Sequence, residues 1–236
     1  HANQRSTRTA GDMTQDYDVS TRSAYQGSKV DDYKRHTQGL RWARFTMWRE
    51  VGIVERAMRN FDLRHGEVML DAPCGTGITA GIMDGNARMV VGLDISRDMM
   101  AEARKEYSAA TVAGLVQGDL TCLPLVDRAV AGTVVLGFMH RVPPGVRSDS
   151  IREIYRVTQR FAAISFTVDS VAQRMKRRAV RLLRPDHQFA PSPLPMQGVL
   201  DLCRTAGFRV CRAEHVLRPL SGEVVLWLEK VEAKAA

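Results

Sequence analysis

The sequence predicts an α/β fold, a mostly parallel sheet with helices on both faces. Three observations carry this. From residue 68 onward short apolar runs alternate with helical patterns, which is the rhythm of parallel strands joined by crossover helices. The first run, Val68-Met69-Leu70-Asp71, leads into the glycine-rich turn Pro73-Cys74-Gly75-Thr76-Gly77. The chain has 236 residues, 44% of them apolar, enough for one domain with a substantial core.

Taken in order, the segment 1–20 is polar and is expected to be mobile. A helical pattern over 22–37 carries Tyr25, Val30 and Tyr33. A second, over 40–61, repeats Leu40, Trp42, Phe45, Trp48, Val51, Val54 and Met58 at three- or four-residue spacing. This second helix is expected to turn an aromatic face inward, with Trp42 and Trp48 in the core. Strands are expected at 68–72, 89–94, 112–116, 130–136 and 160–166, and helices at 76–84, 97–107 and 145–158. Ser96 is the N-cap residue of the 97–107 helix.

Beyond residue 168 the rhythm changes. A basic helix is expected at 170–183, followed by a proline-rich loop to Pro195 and a helix over 196–206 closed by Gly207. Two strands, 208–216 and 223–231, can form a hairpin. The expected organisation is a flexible segment 1–20 and one domain 21–236, in which 21–61 is a helical lid and 168–195 a substrate-side insertion.

The net charge is +8, and 28 of the 34 basic residues are arginine. Part of that bias reflects composition; the rest suggests an anionic partner. The run Arg174, Lys176, Arg177, Arg178, Arg181 and Arg184 reads either as a solvated helix face or as an attraction for phosphate. It lacks the interleaved aromatic residues of a single-strand nucleic-acid platform. Cys74, Cys122, Cys203 and Cys211 include no CxxC pair, so no metal site is expected. No apolar run spans a membrane and the start lacks a signal-peptide core, so a cytoplasmic location is expected.

The chemistry gathers where the strands end. Gly75 and Gly77 let a ligand approach the backbone at a helix start. Asp94 closes the second strand, where a carboxylate accepts ribose hydroxyls in dinucleotide-type folds. Asp119 follows the third strand, in reach of an adenine amino group, with an apolar neighbour to cover the ring. His140 and Arg141 follow the fourth strand, near the ligand crevice of an open sheet. The turn is neither GxGxxG nor a P-loop, since no GK[ST] follows.

The order VMLDAPCGTG, VVGLDIS, QGDLTCLPL and VVLGFMHRV resembles the class I S-adenosylmethionine-dependent methyltransferases over about residues 68–166. The resemblance implies a Rossmann-like, seven-stranded sheet with a reversed final strand. It implies S-adenosyl-L-methionine as cofactor and S-adenosyl-L-homocysteine as product. By motif, Asp71, Gly75 and Gly77 would border the cofactor's methionine part, with Ala72, Pro73 and Gly137 as further cofactor-binding candidates. Asp94 would bind the ribose, with Ile95 and Met99 beside the adenine, and Asp119 and Leu120 would hold the adenine edge and face. Pro73 departs from the pattern, standing where many members have the first glycine, and the strand at 160–166 lacks the usual Pro-Gly-Gly approach. PCGTG together with the HRVP-like fourth motif is similar to a bacterial subgroup, some of whose members sit beside lipopolysaccharide or sugar-phosphate enzymes.

Methyl transfer is an in-line displacement that asks the protein chiefly to align a nucleophile and exclude water. The expected acceptor is a small molecule, phosphate-bearing or otherwise anionic, methylated at oxygen. Tyr25, Tyr33 and Arg141 would contact it, and His140 is the candidate base for a hydroxyl nucleophile. Two other readings stay open: an RNA or protein methyltransferase, favoured by the net charge, and a non-catalytic cofactor-binding partner of another enzyme.

Overall fold

A computed structural model describes residues 41–62, 66–86, 89–169, 171–183, 194–218 and 221–231. Tyr25, Tyr33, the 1–20 segment, the 22–37 helical pattern and most of the proline-rich loop lie outside these residues. The described elements run α1 (Arg41–Asn60), β1 (Val68–Asp71), α2 (Ala80–Asn86), β2 (Met89–Asp94), α3 (Arg97–Glu106), β3 (Val112–Gln117), β4 (Val130–Val135), α4 (Pro144–Val157), β5 (Thr158–Thr167), α5 (Val171–Leu183), α6 (Met196–Thr205), β6 (Phe208–His215) and β7 (Glu223–Lys230).

The strands form one sheet in the order β3-β2-β1-β4-β5-β7-β6. β1 to β5 are mutually parallel, whereas β7 runs antiparallel between β5 and β6. The expected late hairpin is therefore β6–β7, with its second strand inserted beside β5. Both faces are covered, and the period of two divides each strand between two cores. Leu70, Ala162, Ile164, Leu226 and Leu228 face the side packed by Ile151 and Ile154 of α4 and Val199 of α6. Met69, Phe161, Ala163, Val225 and Trp227 face Ile53, Val54, Ala57 and Met58 of α1, together with Met83 and Ala103.

One expectation is corrected here. α1 does not bury its aromatic residues: Trp42, Phe45 and Trp48 are 52%, 42% and 70% exposed. Thr46, Ile53, Val54, Ala57 and Met58 are buried instead. Apolar residues surround so much of this helix that spacing alone could not choose the inner face, and the sheet accepts its slimmer aliphatic side. The turn after β1 is also longer than expected, because helix α2 starts only at Ala80. Ser96 caps α3 as its sequence indicates, its Oγ accepting from the Met99 amide at 3.2 Å.

β1 lies between β2 and β4, so the connections leave it toward opposite halves of the sheet. At such a switch point the loops after neighbouring strands diverge and leave a crevice beyond their carboxyl ends.

Candidate active site

The crevice is a cavity with two walls. One is made by Pro73, Cys74, Gly75, Ile78 and Thr79 after β1, with Asp94, Ile95 and Met99 at the end of β2 and the start of α3. The other is made by Leu136, Gly137, Phe138, Arg141 and Val142 after β4. The turn after β1 is fastened on both sides. The Ala72 amide donates to the Val134 carbonyl at 3.0 Å, and the Cys74 amide donates to the Leu93 carbonyl at 2.8 Å. The Ala72–Pro73 peptide is cis.

The two glycines of the turn differ in purpose. Gly75 has φ +53°, a Cβ there would meet nothing within 4 Å, and the residue lines the cavity. Gly77 has φ +80°, and a Cβ there would lie 2.9 Å from the Glu106 Cβ and 3.1 Å from the Ala103 Cα. Gly77 is therefore demanded by close packing of the turn on α3, and it lies outside this cavity wall.

The acidic residues also separate. Asp94 is 6% exposed; its Oδ2 accepts from the Gly75 amide and its Oδ1 from the Ser96 amide, each at 2.9 Å. Burial pushes its carboxyl up, and backbone amides of Ser96, Gly75 and Ile95 pull it down. Each oxygen keeps a lone pair for a ligand, since a carboxylate offers about four acceptor sites. Asp71 is 1% exposed and its Oδ2 accepts from the hydroxyls of Thr79 and Tyr107. Burial raises it to about 6. Asp71 ties β1 to the turn and to the end of α3 behind the wall.

Asp119 lies outside the cavity wall, its Oδ1 taken at 2.8 Å by both the amide and the hydroxyl of Thr121. Leu120 is 4% exposed within the main core. The apolar side chains that do flank the cavity near β2 are Ile95 and Met99. Cys74 is buried and its thiol is pushed far up by burial and then by Asp71 and Asp94, which suits a small packing residue rather than a nucleophile.

On the opposite wall Gly137 has φ +66°, and its amide donates to the Ser165 Oγ at 3.0 Å. Arg147, only 3% exposed, reaches back from α4 to donate to the Met139 carbonyl at 2.8 Å and the Val142 carbonyl at 3.1 Å. It thereby shapes the loop that presents Arg141 to the cavity. His140 is part of this loop but does not line the cavity. Its Nε2 accepts from the Arg141 Nε at 3.4 Å, and burial, Arg141 and Arg147 lower it to about 4. At neutral pH the imidazole is uncharged and only weakly basic.

The sequence reading did not single out Ile78, Thr79, Leu136, Phe138 or Val142, although most adjoin residues that it did. It also missed Glu50 of α1. Glu50 accepts a hydrogen bond from Ser165, the residue that holds Gly137, and burial together with Glu223 raises it to about 7. No local motif marks Glu50; folding alone carries α1 across β5 and β7.

Comparison with known proteins bears on this geometry. Residues 69–160 match a family model described as a methyltransferase domain. That segment holds the entire two-walled cavity. By that match the segment is a methyltransferase domain. A protein of Encephalitozoon cuniculi named as a methyltransferase is 27% identical over 179 residues, covering 70% of this chain and 80% of that protein. The malonyl-[acyl-carrier protein] O-methyltransferase of Pectobacterium atrosepticum is 30% identical over 115 residues, 48% of this chain and 42% of that enzyme. This chain thus spans less than half the length of that relative. The methyltransferase fold is shared with the magnesium protoporphyrin IX methyltransferase of Synechocystis with bound S-adenosylhomocysteine. The TM-score is 0.77 at 16% identity, covering 91% of this chain and all of that one.

The chemistry of the cavity fits S-adenosylmethionine: it offers an open glycine face at Gly75, a buried carboxylate with spare lone pairs at Asp94 that would suit ribose hydroxyls, and an apolar flank at Ile95 and Met99 that would suit adenine. Among the described residues there is no group of His, Cys, Asp and Glu that could hold a metal ion, and no helix long and apolar enough to cross a membrane.

Proposed function

We propose that this methyltransferase moves the methyl group of S-adenosylmethionine to an oxygen of a small acceptor that carries an anionic group. The observation that carries this reading is the division of the cavity. The cofactor-type determinants lie on the β1–β2 wall, while the β4 wall presents an exposed guanidinium, Arg141, to whatever lies opposite. Bound in this cavity, the cofactor supplies a methyl carbon already activated by its sulfonium charge.

The chain's own residues do the rest. Asp94 and the Gly75 turn would hold the cofactor on the β1–β2 wall. Leu136, Phe138 and Val142 give that wall an apolar surface that keeps water from competing with the acceptor. Arg141 anchors the acceptor's anionic group by a charge-assisted hydrogen bond. The relative of Pectobacterium, named for transfer to oxygen, supports the choice of atom.

The experiment has two parts. Calorimetry with S-adenosylhomocysteine should show saturable binding. Labelled methyl groups should then pass to an anionic compound in an ultrafiltered cell extract. With Arg141→Ala the KM for that compound should rise about tenfold or more while cofactor affinity stays unchanged. Label found only in protein or RNA of an unfiltered extract would overturn the small-acceptor reading.

A further inference from the structure

The glycine turn has a second side. Cys74, Gly75 and Ile78 line the cavity described above, whereas Thr76, Gly77 and Ile78 line a separate cleft between the turn and α1. Ile78 belongs to both walls, so the two spaces adjoin there. The cleft encloses about 1060 Å³. That is room for a ligand of several rings, since small-molecule sites run from about 300 to 1,000 Å³.

The α1 wall of the cleft uses residues that the core leaves out. Arg41, Arg44, Phe45 and Trp48 all line it, and their spacing of three, one and three positions puts them on one face of the helix. Phe45 and Trp48 are both exposed, with ring centroids 6.2 Å apart and planes inclined by 31°. Together they offer an apolar surface on which a planar ligand can stack. Among the described residues no hydrogen bond or ion pair holds the Arg41 or Arg44 guanidinium, so both are open to an anion.

The opposite wall supplies an independent sign of a ligand. Thr76 is 2% exposed and lines the cleft, yet its hydroxyl has no hydrogen-bond partner among the described residues. A buried hydroxyl left unpaired is a cost that a bound polar atom removes. Glu106 closes this wall at the end of α3. Its carboxylate opposes an anion on the turn side, so a single anionic group belongs on the α1 side and a chain of phosphates does not suit the cleft.

We infer that this cleft is a second binding site, for a planar and largely apolar small molecule that carries one anionic group. The anion meets Arg41 and Arg44, the ring system lies on Phe45 and Trp48 with Ile78 at its edge, and a polar atom of the ligand pairs with the Thr76 hydroxyl. Because Ile78 is the one described residue common to the two walls, a ligand here leaves the cofactor-type cavity free.

Calorimetry with 1-anilinonaphthalene-8-sulfonate, an aromatic anion, tests this on the full chain with S-adenosylhomocysteine in excess. One molecule should bind saturably. Trp48→Ala should weaken binding about tenfold, and Arg41→Gln combined with Arg44→Gln about tenfold. Thr76→Val should weaken it about threefold without lowering the urea midpoint, because the hydroxyl has no partner in the chain to lose. Neutral N-phenyl-1-naphthylamine should bind about tenfold more weakly than the sulfonate. Wild-type affinity in any of these variants, or equal affinity for the neutral compound, would overturn the proposal. So would the absence of saturable binding, which is the result if the chain's own residues 1–40 fill the cleft.

Trp48 and both arginines are exposed, so their variants decide the matter if Thr76→Val fails to fold. If S-adenosylhomocysteine itself does not bind, the methyl-transfer reading fails separately. Arg141→Ala then locates the probe, since Arg141 lines the other cavity. Binding lost in Arg141→Ala and kept in Trp48→Ala would overturn the second site.

Discussion

The Asp94 carboxylate receives the Gly75 amide at 2.9 Å, joining the end of the second strand to the glycine turn that follows the first. A single buried side chain thus shapes the turn and also lines the cavity. Asp94→Ala should weaken binding of S-adenosylhomocysteine by about 1–3 kcal/mol, because the Gly75 and Ser96 amides and the ligand's hydroxyls all lose an acceptor. Unchanged affinity by calorimetry would remove Asp94 from the site.

Gly75 and Gly77 should respond to alanine in different ways. In Gly77→Ala the new methyl group would press on Glu106 and Ala103 of α3 at a positive φ, costing about 2–4 kcal/mol of stability. Gly75→Ala meets open space and should cost only about 1 kcal/mol for its φ, while its methyl group intrudes on the cavity and lowers cofactor affinity. Urea unfolding and calorimetry on both variants check this, and equal losses of stability would refute the division of roles.

Asp71 and His140 should give opposing pH dependences. The folded chain holds a proton on Asp71 up to about pH 6, whereas the ordinary value is 3.8. Its contribution is therefore full below pH 3.8 and is lost as pH rises to about 6, a change of about 3 kcal/mol. His140, lowered from 6.5 to about 4, contributes stability that is present above 6.5 and lost as pH falls to about 4. In the wild type the two slopes largely offset each other. Asp71→Asn should leave stability rising between pH 4 and 6.5, and His140→Gln should leave it falling between pH 4 and 6. Urea midpoints across this range measure both, and flat curves in the two variants would contradict the account.

Arg147 is a buried cation whose Nε and Nη2 donate to the carbonyls of Met139 and Val142. Arg147→Met should leave both carbonyls without that donor and lower stability by about 1–3 kcal/mol. The local sign is faster hydrogen exchange at the Arg141 amide, which donates to the Phe138 carbonyl at 2.8 Å. Exchange as slow as in the wild type would show that the loop holds its shape without Arg147.

The parallel strands, the glycine turn, Asp94 and the Ser96 cap could be read from the chain because each is local. A continuous apolar run, a missing Cβ and a cap residue act on neighbours within a few positions, so their pattern survives in one dimension. The same holds for Ile95, Met99, Gly137 and Arg141, which adjoin the strand ends and line the cavity.

Other choices belong to packing. Gly77 and Gly75 are alike in sequence, and only the approach of α3 separates a packing glycine from one that lines the cavity. Leu120 carries the family pattern yet is drawn into the core. The aromatic residues of α1 repeat at helical spacing, but the sheet selects Ile53, Val54, Ala57 and Met58 as the buried face. Glu50 is an ordinary helical glutamate until α1 is laid across β5 and β7, where Ser165, Glu223 and Arg141 come to bear on it. The sequence by itself determined the α/β fold and the glycine-turn and Asp94 side of the cavity, since backbone geometry and strand burial are encoded residue by residue. The tertiary structure decided which residues of the turn and of α1 are buried and which charges act on Glu50, because desolvation and charge coupling arise only between segments that folding brings together.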